Sequence, residues 1–256
     1  MSTTAIPVGV STSFFVLLVI IVIGTRLWLT RVNRLFVQQL LSEFDGDSVP
    51  TVTFVLAHPS DETYFFTPTL EVLANSPYVA QHELKIRLLL LSKGKYVGKG
   101  DERTFEIESL CNKYNVLCTI LDEPYTQEGP QFWETSQIVT HVHDFLKQHK
   151  SQVVITFDQY GADSDPNHIS TYHAVYESKE KIPDLRIWTL RSYGVLTTNC
   201  APFALMRAVF ARPSASLFTS FPADKNTKIH ASSWTWKTPF RNLFSSYSYV
   251  NTYRTL

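Results

Sequence analysis

The 256-residue chain balances 23 Lys+Arg against 23 Asp+Glu, so its formal net charge is zero and no basic excess marks it as a nucleic-acid binder. Its three cysteines, Cys111, Cys118 and Cys200, form no CxxC pair. This excludes a disulfide framework and a thiolate zinc site, and leads us to expect three reduced, mostly buried thiols in a cytosolic environment.

The first predicted element is apolar. Ile6 to Leu29 carries one charge, Arg26, and encloses FFVLLVIIVI, and a span of about 20 apolar residues crosses a bilayer. MSTTAIP has no basic side chain, which argues against a cleaved secretory signal. Arg26, Arg31 and Arg34 follow the span, so the positive-inside rule places the rest of the chain on the cytoplasmic side. We therefore expect a membrane anchor in residues 1–30, transmembrane over about 6–29. Residues 31–50 read as a linker, amphipathic through Leu35, Phe36, Leu40 and Leu41 and then polar at SEFDGDS.

From residue 51 the pattern alternates. Apolar, β-rich runs predict strands at 51–57, 84–91, 116–121, 152–157 and 186–191. Between them lie helical stretches at 61–75, 101–114, 131–149 and 166–178. Such alternation predicts an α/β fold, a Rossmann-like and mostly parallel sheet with helices on both faces, in one domain over 51–256. No internal repeat is visible.

In such sheets the chemistry sits past the carboxyl ends of strands. The first strand ends in AHPSDE, Ala57–Glu62, where proline breaks the ladder. A histidine and an aspartate three apart, His58 and Asp61, suit a metal held by nitrogen and oxygen; an acidic helix start would explain the same acids. The second strand ends in LSKGKYVGKGDER, a glycine turn with Lys93, Lys95 and Lys99 that either cradles an anion or is a solvated turn. The fourth ends in FDQYGADSDPNH, where Pro166 suits a first helical turn and His168 faces the sheet edge. His173, five residues on, lies on a different face of that helix.

With both strand ends in hand, the chain resembles the PIG-L/LmbE family of zinc-dependent N-acetylglucosamine deacetylases. AHPSDE resembles the family's AHPDDE, and DPNH its HPxH or HSNH. Ser92, Gly94, Gly98, Gly100, Arg103 and Glu106 are similar to its glycine-rich segment, Asp158 and Asn167 sit at familiar places, and the Trp/Tyr-rich tail from His230 resembles the eukaryotic branch, which acts in glycosylphosphatidylinositol (GPI) anchor synthesis. The resemblance implies that His58, Asp61 and His168 bind Zn2+ or another divalent cation. It further implies de-N-acetylation of N-acetylglucosaminyl-phosphatidylinositol at the endoplasmic reticulum membrane, with a single span and a cytoplasmic catalytic domain. Arg103, by resemblance, and Lys93, Lys95 and Lys99, by charge, are the expected contacts to the substrate phosphate.

Two positions depart from the family pattern. Ser60 stands where the general base would be, and Asp165 where the motif's first histidine would be. We therefore expect Asp165 to serve as the single acid–base group, with Asp163 in reserve. The alternative is a catalytically impaired member that binds the glycolipid or a protein partner. A nucleotide-binding domain would want a glycine fingerprint after the first strand, and AHPSDE stands there instead. Segment 203–212 and the tail aromatics Trp234, Trp236, Phe240, Phe244, Tyr247, Tyr249 and Tyr253 suit either a membrane interface or the domain's own core.

Overall fold

Strand β1 (Thr51–Leu56) is buried along its whole length, as a strand covered on both faces must be. In the computed structural model, which describes residues 8–44, 49–94, 99–204, 215–218, 226 and 228–256, β1 pairs in parallel with β2 (Lys85–Leu90) on one side and β4 (Val153–Phe157) on the other. Strand β3 (Leu117–Ile120) lies outside β2, and β5 (Arg186–Leu190) outside β4, both parallel. Two strands absent from the sequence-based expectation complete the sheet. β7 (Val250–Thr255) runs antiparallel beside β5, and β6 (Ala215–Phe218) antiparallel beside β7. The order is β3-β2-β1-β4-β5-β7-β6.

The helices are α1 (Val8–Leu41), α2 (Asp61–Phe65), α3 (Thr67–Asn75), α4 (Pro77–Gln81), α5 (Gly100–Tyr114), α6 (Thr135–Gln148), α7 (Gly161–Ser164), α8 (Pro166–Lys181), α9 (Val195–Thr198) and α10 (Thr238–Phe244). The side-chain alternation of β1 divides the core in two. Val52, Phe54 and Leu56 join a cluster with Phe36 of α1, Leu70 and Leu73 of α3, and Ile107 and Leu110 of α5. Val55 and Ala57 join another with Ile138, Val142 and Leu146 of α6 and Ala174 and Val175 of α8. The sheet order reverses between β1 and β4, so their carboxyl ends open a crevice at the switch point. Both candidate motifs sit there.

The N-terminal expectation is corrected. Among the described residues no helix is long and apolar enough to cross a membrane, which overturns the single-pass endoplasmic-reticulum assignment. The physical reason lies in α1, which runs without a break through the expected end of the span and through residues read as a linker. Its second half is amphipathic: Leu29, Phe36, Val37 and Leu40 are buried against the protein, while Arg31, Arg34 and Leu35 are exposed. Phe36 packs edge-on against Trp188 of β5 and near Tyr253 of β7.

The cysteine expectation is corrected as well. Cys111 at the end of α5 and Cys118 in β3 form a disulfide, with Cα atoms 6.2 Å apart, and Cys200 is free. The turn between helix and strand brings the two together, which their spacing in sequence does not reveal.

Candidate metal centre

The motif after β1 folds tightly. Ser60 adopts a left-handed backbone with φ 85° and begins α2. This turn lets the carboxylate of Asp61 reach back, where Oδ2 accepts the His58 backbone N–H at 2.8 Å. His168 enters from the first turn of α8, which Pro166 opens and whose backbone Asp165 caps by accepting the Asn167 N–H at 2.7 Å. Its imidazole stacks flat on Phe157, the last residue of β4, at 4.0 Å between centroids.

His58, Asp61 and His168 are all buried, and each offers one ligand atom within 4.8 Å of the others. Their neighbours fix which imidazole nitrogen is free. Asn167 Oδ1 already accepts the Gly129 N–H at 3.1 Å, and Asn167 Nδ2 donates to Gln131 O at 2.8 Å. The Asn167 oxygen is thus an acceptor, so His58 Nε2, 3.0 Å away, carries the proton and donates. His58 Nδ1 is left with a lone pair toward Asp61, 3.7 Å from Oδ2. His168 repeats the arrangement in mirror form. Its Nδ1 faces two acceptors, Gly161 O and Asp163 Oδ1, each at 3.0 Å, while Nε2 points to Asp61 Oδ1 at 3.2 Å. Two imidazole lone pairs and one carboxylate thus converge, and each imidazole is oriented by a hydrogen bond on its far side, as metal-ligating histidines usually are.

Charge fits this arrangement. Burial opposes the Asp61 carboxylate, but His168 and His58 outweigh it and hold its pKa below the ordinary carboxylate range. Burial likewise opposes a charged His168, but Asp61 and Asp163 outweigh it and hold its pKa well above the ordinary histidine value. The same carboxylates that favour positive charge on His168 would favour a divalent cation held between it and Asp61. Two nitrogens, one oxygen and an open side toward a cavity are the donor set of a hydrolytic centre.

That cavity has a volume of about 410 Å³. Ser60, Asp163 and Asp165 line it with the three ligand residues. The Ser60 hydroxyl lies 3.3 Å from that of Ser233. Asp163 is the partner of His168 rather than a free acid. Asp165 caps α8 with one carboxylate oxygen and remains half-buried at the cavity wall.

The expected phosphate contacts are placed differently from the sequence reading. Arg103 is buried and spends its guanidinium on protein acceptors: Nη1 donates to Gly94 O at 2.7 Å and to Glu128 Oε2 at 2.5 Å, and Nη2 to Pro59 O at 2.6 Å. It pins the motif turn to the loop after β2. Gly94, at φ +68°, must be glycine here, since a Cβ would lie 2.2 Å from Arg103 Nη1. Lys93 pairs with Asp122 at 3.1 Å and Lys99 donates to Ser232 O at 3.2 Å. Lys95 and residues 205–212 of segment 203–212 lie outside the described residues.

Several contributors escaped the sequence reading. Asn167 was noticed without a role. Glu62, wholly buried, accepts from Ser60 N at 3.0 Å, from Thr63 Oγ1 at 2.8 Å and from His230 Nε2 at 2.6 Å. His230 belongs to the tail, and no spacing rule links it to the motif. Ser232 of the same segment donates from N and Oγ to Glu106 at 2.7 and 2.6 Å. Lys237 and Arg241, also from the tail, line the cavity.

A buried two-histidine, one-carboxylate cluster at the switch point of a mostly parallel sheet defines a candidate metal-dependent hydrolytic centre. Residues 53–179, from within β1 to near the end of α8, match the PIG-L family model described as "GlcNAc-PI de-N-acetylase". A Schizosaccharomyces pombe protein named "Probable N-acetylglucosaminyl-phosphatidylinositol de-N-acetylase" is 30% identical over 152 residues, 58% of this chain and 59% of that one. A Bos taurus protein named "N-acetylglucosaminyl-phosphatidylinositol de-N-acetylase" is 26% identical over 208 residues, 77% of this chain and 80% of that one. The chain thus spans about half to four-fifths of the length of the curated relatives it matches. The fold is shared with a teicoplanin-pathway deacetylase, TM-score 0.55 at 11% identity over 80% of this chain and 98% of that one. It is also shared with the Pseudomonas putida 4-carboxy-2-hydroxymuconate hydratase GalB, TM-score 0.52 at 11% identity over 81% and 96%. One fold therefore serves two reactions, and the chemistry must be argued from the site.

Proposed function

We propose that the protein is a de-N-acetylase of N-acetylglucosaminyl-phosphatidylinositol, hydrolysing the acetamide to acetate and glucosaminyl-phosphatidylinositol in GPI-anchor biosynthesis. The observation that carries this is the convergence of His58, Asp61 and His168 on one point of a cavity large enough for a sugar, in a chain whose residues 53–179 match the PIG-L family model.

The three residues would hold zinc or another divalent cation, which when bound supplies polarisation of the acetamide carbonyl and activation of water. The protein's own groups do the rest. Asn167 and Asp163 hold the two imidazoles with their lone pairs inward. Asp165 faces the cavity with the carboxylate oxygen that the helix cap leaves available, and takes a proton from the attacking water, later returning it to the departing amine. Ser60, at the family's base position, cannot accept a proton near neutral pH; its hydroxyl contacts that of Ser233.

A second reading has a specific observation in its favour. The Ser60 hydroxyl and one Asp165 oxygen are already engaged structurally, which suits a family member that binds the glycolipid without cleaving it. Acetate release from the glycolipid by the purified full chain, with and without chelator, separates the two. Chelator-sensitive release supports the hydrolase; no release with the cation bound supports the binding protein.

A further inference from the structure

We propose that Lys237 and Arg241 form a phosphate-binding subsite at the mouth of the metal-centre cavity, for the phosphodiester of an amphiphilic substrate whose lipid side lies against Trp236 and Phe240. The inference rests on the deacetylase reading for the position of the sugar.

A phosphate needs donors that the protein has not already spent. Arg103 is buried with Nη1 and Nη2 on protein acceptors, Lys93 is paired with Asp122 and Lys99 holds Ser232 O, and neither lysine is among the residues that line the cavity. Arg241 meets the requirement. Its guanidinium carbon lies over the Tyr64 ring, 3.9 Å from the centroid, and 5.1 Å from that of Phe65. Stacking uses the flat face and leaves the in-plane fork of N–H groups free for bidentate contact, and among the described residues those groups make no hydrogen bond or ion pair. Tyr64 and Phe65 belong to α2, the helix that begins at Asp61, so the ring platform ties the guanidinium to the ligand cluster. Lys237 lies one turn earlier on the same wall, its Nζ 5.6 Å over the Trp236 ring and likewise without a carboxylate partner. None of the cavity's acids forms an ion pair with these two cations among the described residues: Glu128 pairs with Arg103, and Asp61 and Asp163 with His168.

The outer surface of this wall is apolar. Trp236 is 69% exposed and Phe240 57%, and they meet edge-to-face at 6.3 Å. Trp234, Leu243 and Phe244 are exposed beside them. Cations next to upward-facing aromatics are the composition that binds a lipid headgroup and its glycerol region together. A free phosphate would have no use for the aromatics, so the occupant is a phospholipid.

Binding of the full chain to phosphatidylcholine vesicles, with and without phosphatidylinositol, tests this. Phosphatidylinositol should tighten binding of the parent. Lys237→Gln/Arg241→Gln should reduce that preference by about tenfold or more. Trp236→Ala/Phe240→Ala should weaken binding to both vesicle types. These side chains are exposed, so thermal unfolding of both variants should match the parent. An undiminished phosphatidylinositol preference in the charge variant overturns the proposal, as does binding of inorganic phosphate that outcompetes vesicles. Acetate release is measured in parallel on phosphate-bearing and phosphate-free N-acetylglucosaminyl-inositol. Charge-dependent vesicle binding without acetate release leaves the subsite standing and removes the deacetylase reading. Acetate release with an unchanged preference for the phosphate-bearing compound does the reverse.

Discussion

At the scale of single residues, the centre depends on groups that touch no cation. Asn167 accepts from His58 and from Gly129 while donating to Gln131, so its removal frees the imidazole to rotate and leaves a buried Nε2–H unpartnered. Asn167→Ala should weaken metal binding by about 10–100-fold, read by cation titration, with His168 still in place. Because the neighbouring carboxylates favour a proton on His168 in the absence of a cation, metal uptake should release that proton. Affinity should therefore fall as pH is lowered, which calorimetry in buffers of different ionisation enthalpy would detect. Asp165→Asn keeps a side-chain oxygen to cap α8, so stability should change little while acetate release falls by about 10²–10⁴; Asp165→Ala should in addition cost about 1 kcal/mol from the lost cap. The candidate ligand cluster was legible through the resemblance of AHPSDE and DPNH to family motifs, since the residues alone also fit a proline turn with an acidic helix start. For Arg103, charge is visible in the sequence and commitment is not: its Nη1 and Nη2 already donate to Gly94 O, Glu128 and Pro59 O, and Nε is buried without a partner among the described residues.

At the scale of elements, the five parallel strands and α5 fall within a residue of the expected bounds, whereas the stretch expected as one helix over 61–75 is broken into α2 and α3, α4 is additional, α6 begins four residues later than expected and α8 runs three residues longer. The tail did not reveal itself. Its aromatics divide between two fates: Tyr247 and Tyr253 are buried, while Trp234, Trp236, Phe240 and Phe244 are exposed. No local pattern distinguishes them, because burial here is decided by tertiary partners: the pairing of β7 with β5 for Tyr253, and packing on Phe65 and Tyr193 for Tyr247. Segment 230–233 closes over the motif through His230–Glu62, Ser232–Glu106 and Ser233–Ser60. Burial opposes a charged His230, yet Glu62 and then Glu106 outweigh it, with Arg103 opposing, and its pKa stands above the ordinary value. A raised pKa means that this contribution to stability is complete below the unfolded value of about 6.5 and is lost as pH rises through the folded value. The melting temperature of the parent should thus decline on the alkaline side. His230→Gln should be less stable at pH 6 and should lack that decline; an identical pH profile in the two proteins would refute the assignment.

At the scale of the whole molecule, the structured unit begins before β1. Phe36, Val37 and Leu40 of α1 are core residues, so a chain starting at Thr51 should expose the ring faces of Trp188 and Tyr253 and lose much of its stability. Phe36→Ala alone should cost about 3–5 kcal/mol in denaturant unfolding. The sequence suggested a spacer there because the stretch between the apolar run and β1 is amphipathic, and amphipathicity shows only that a helix has a partner, not which one. α1 also forms one wall of a larger groove of about 1070 Å³, shared with α3 and α4 and lined by Trp28, Arg34 and Tyr78; it shares no residue with the metal centre. The closure of segment 230–233 over the motif also has a consequence for biosynthesis. Glu62 waits 168 residues for His230, which at about 5–20 residues per second is on the order of ten seconds or more of translation. For the last stretch of that interval, from His168 to His230, all three candidate ligands have been made, but Glu62 beside them still lacks its histidine partner. A nascent chain can therefore gather its ligands early and still keep the loop that frames them unsettled, so the order of the centre is decided late, by residues that never touch it.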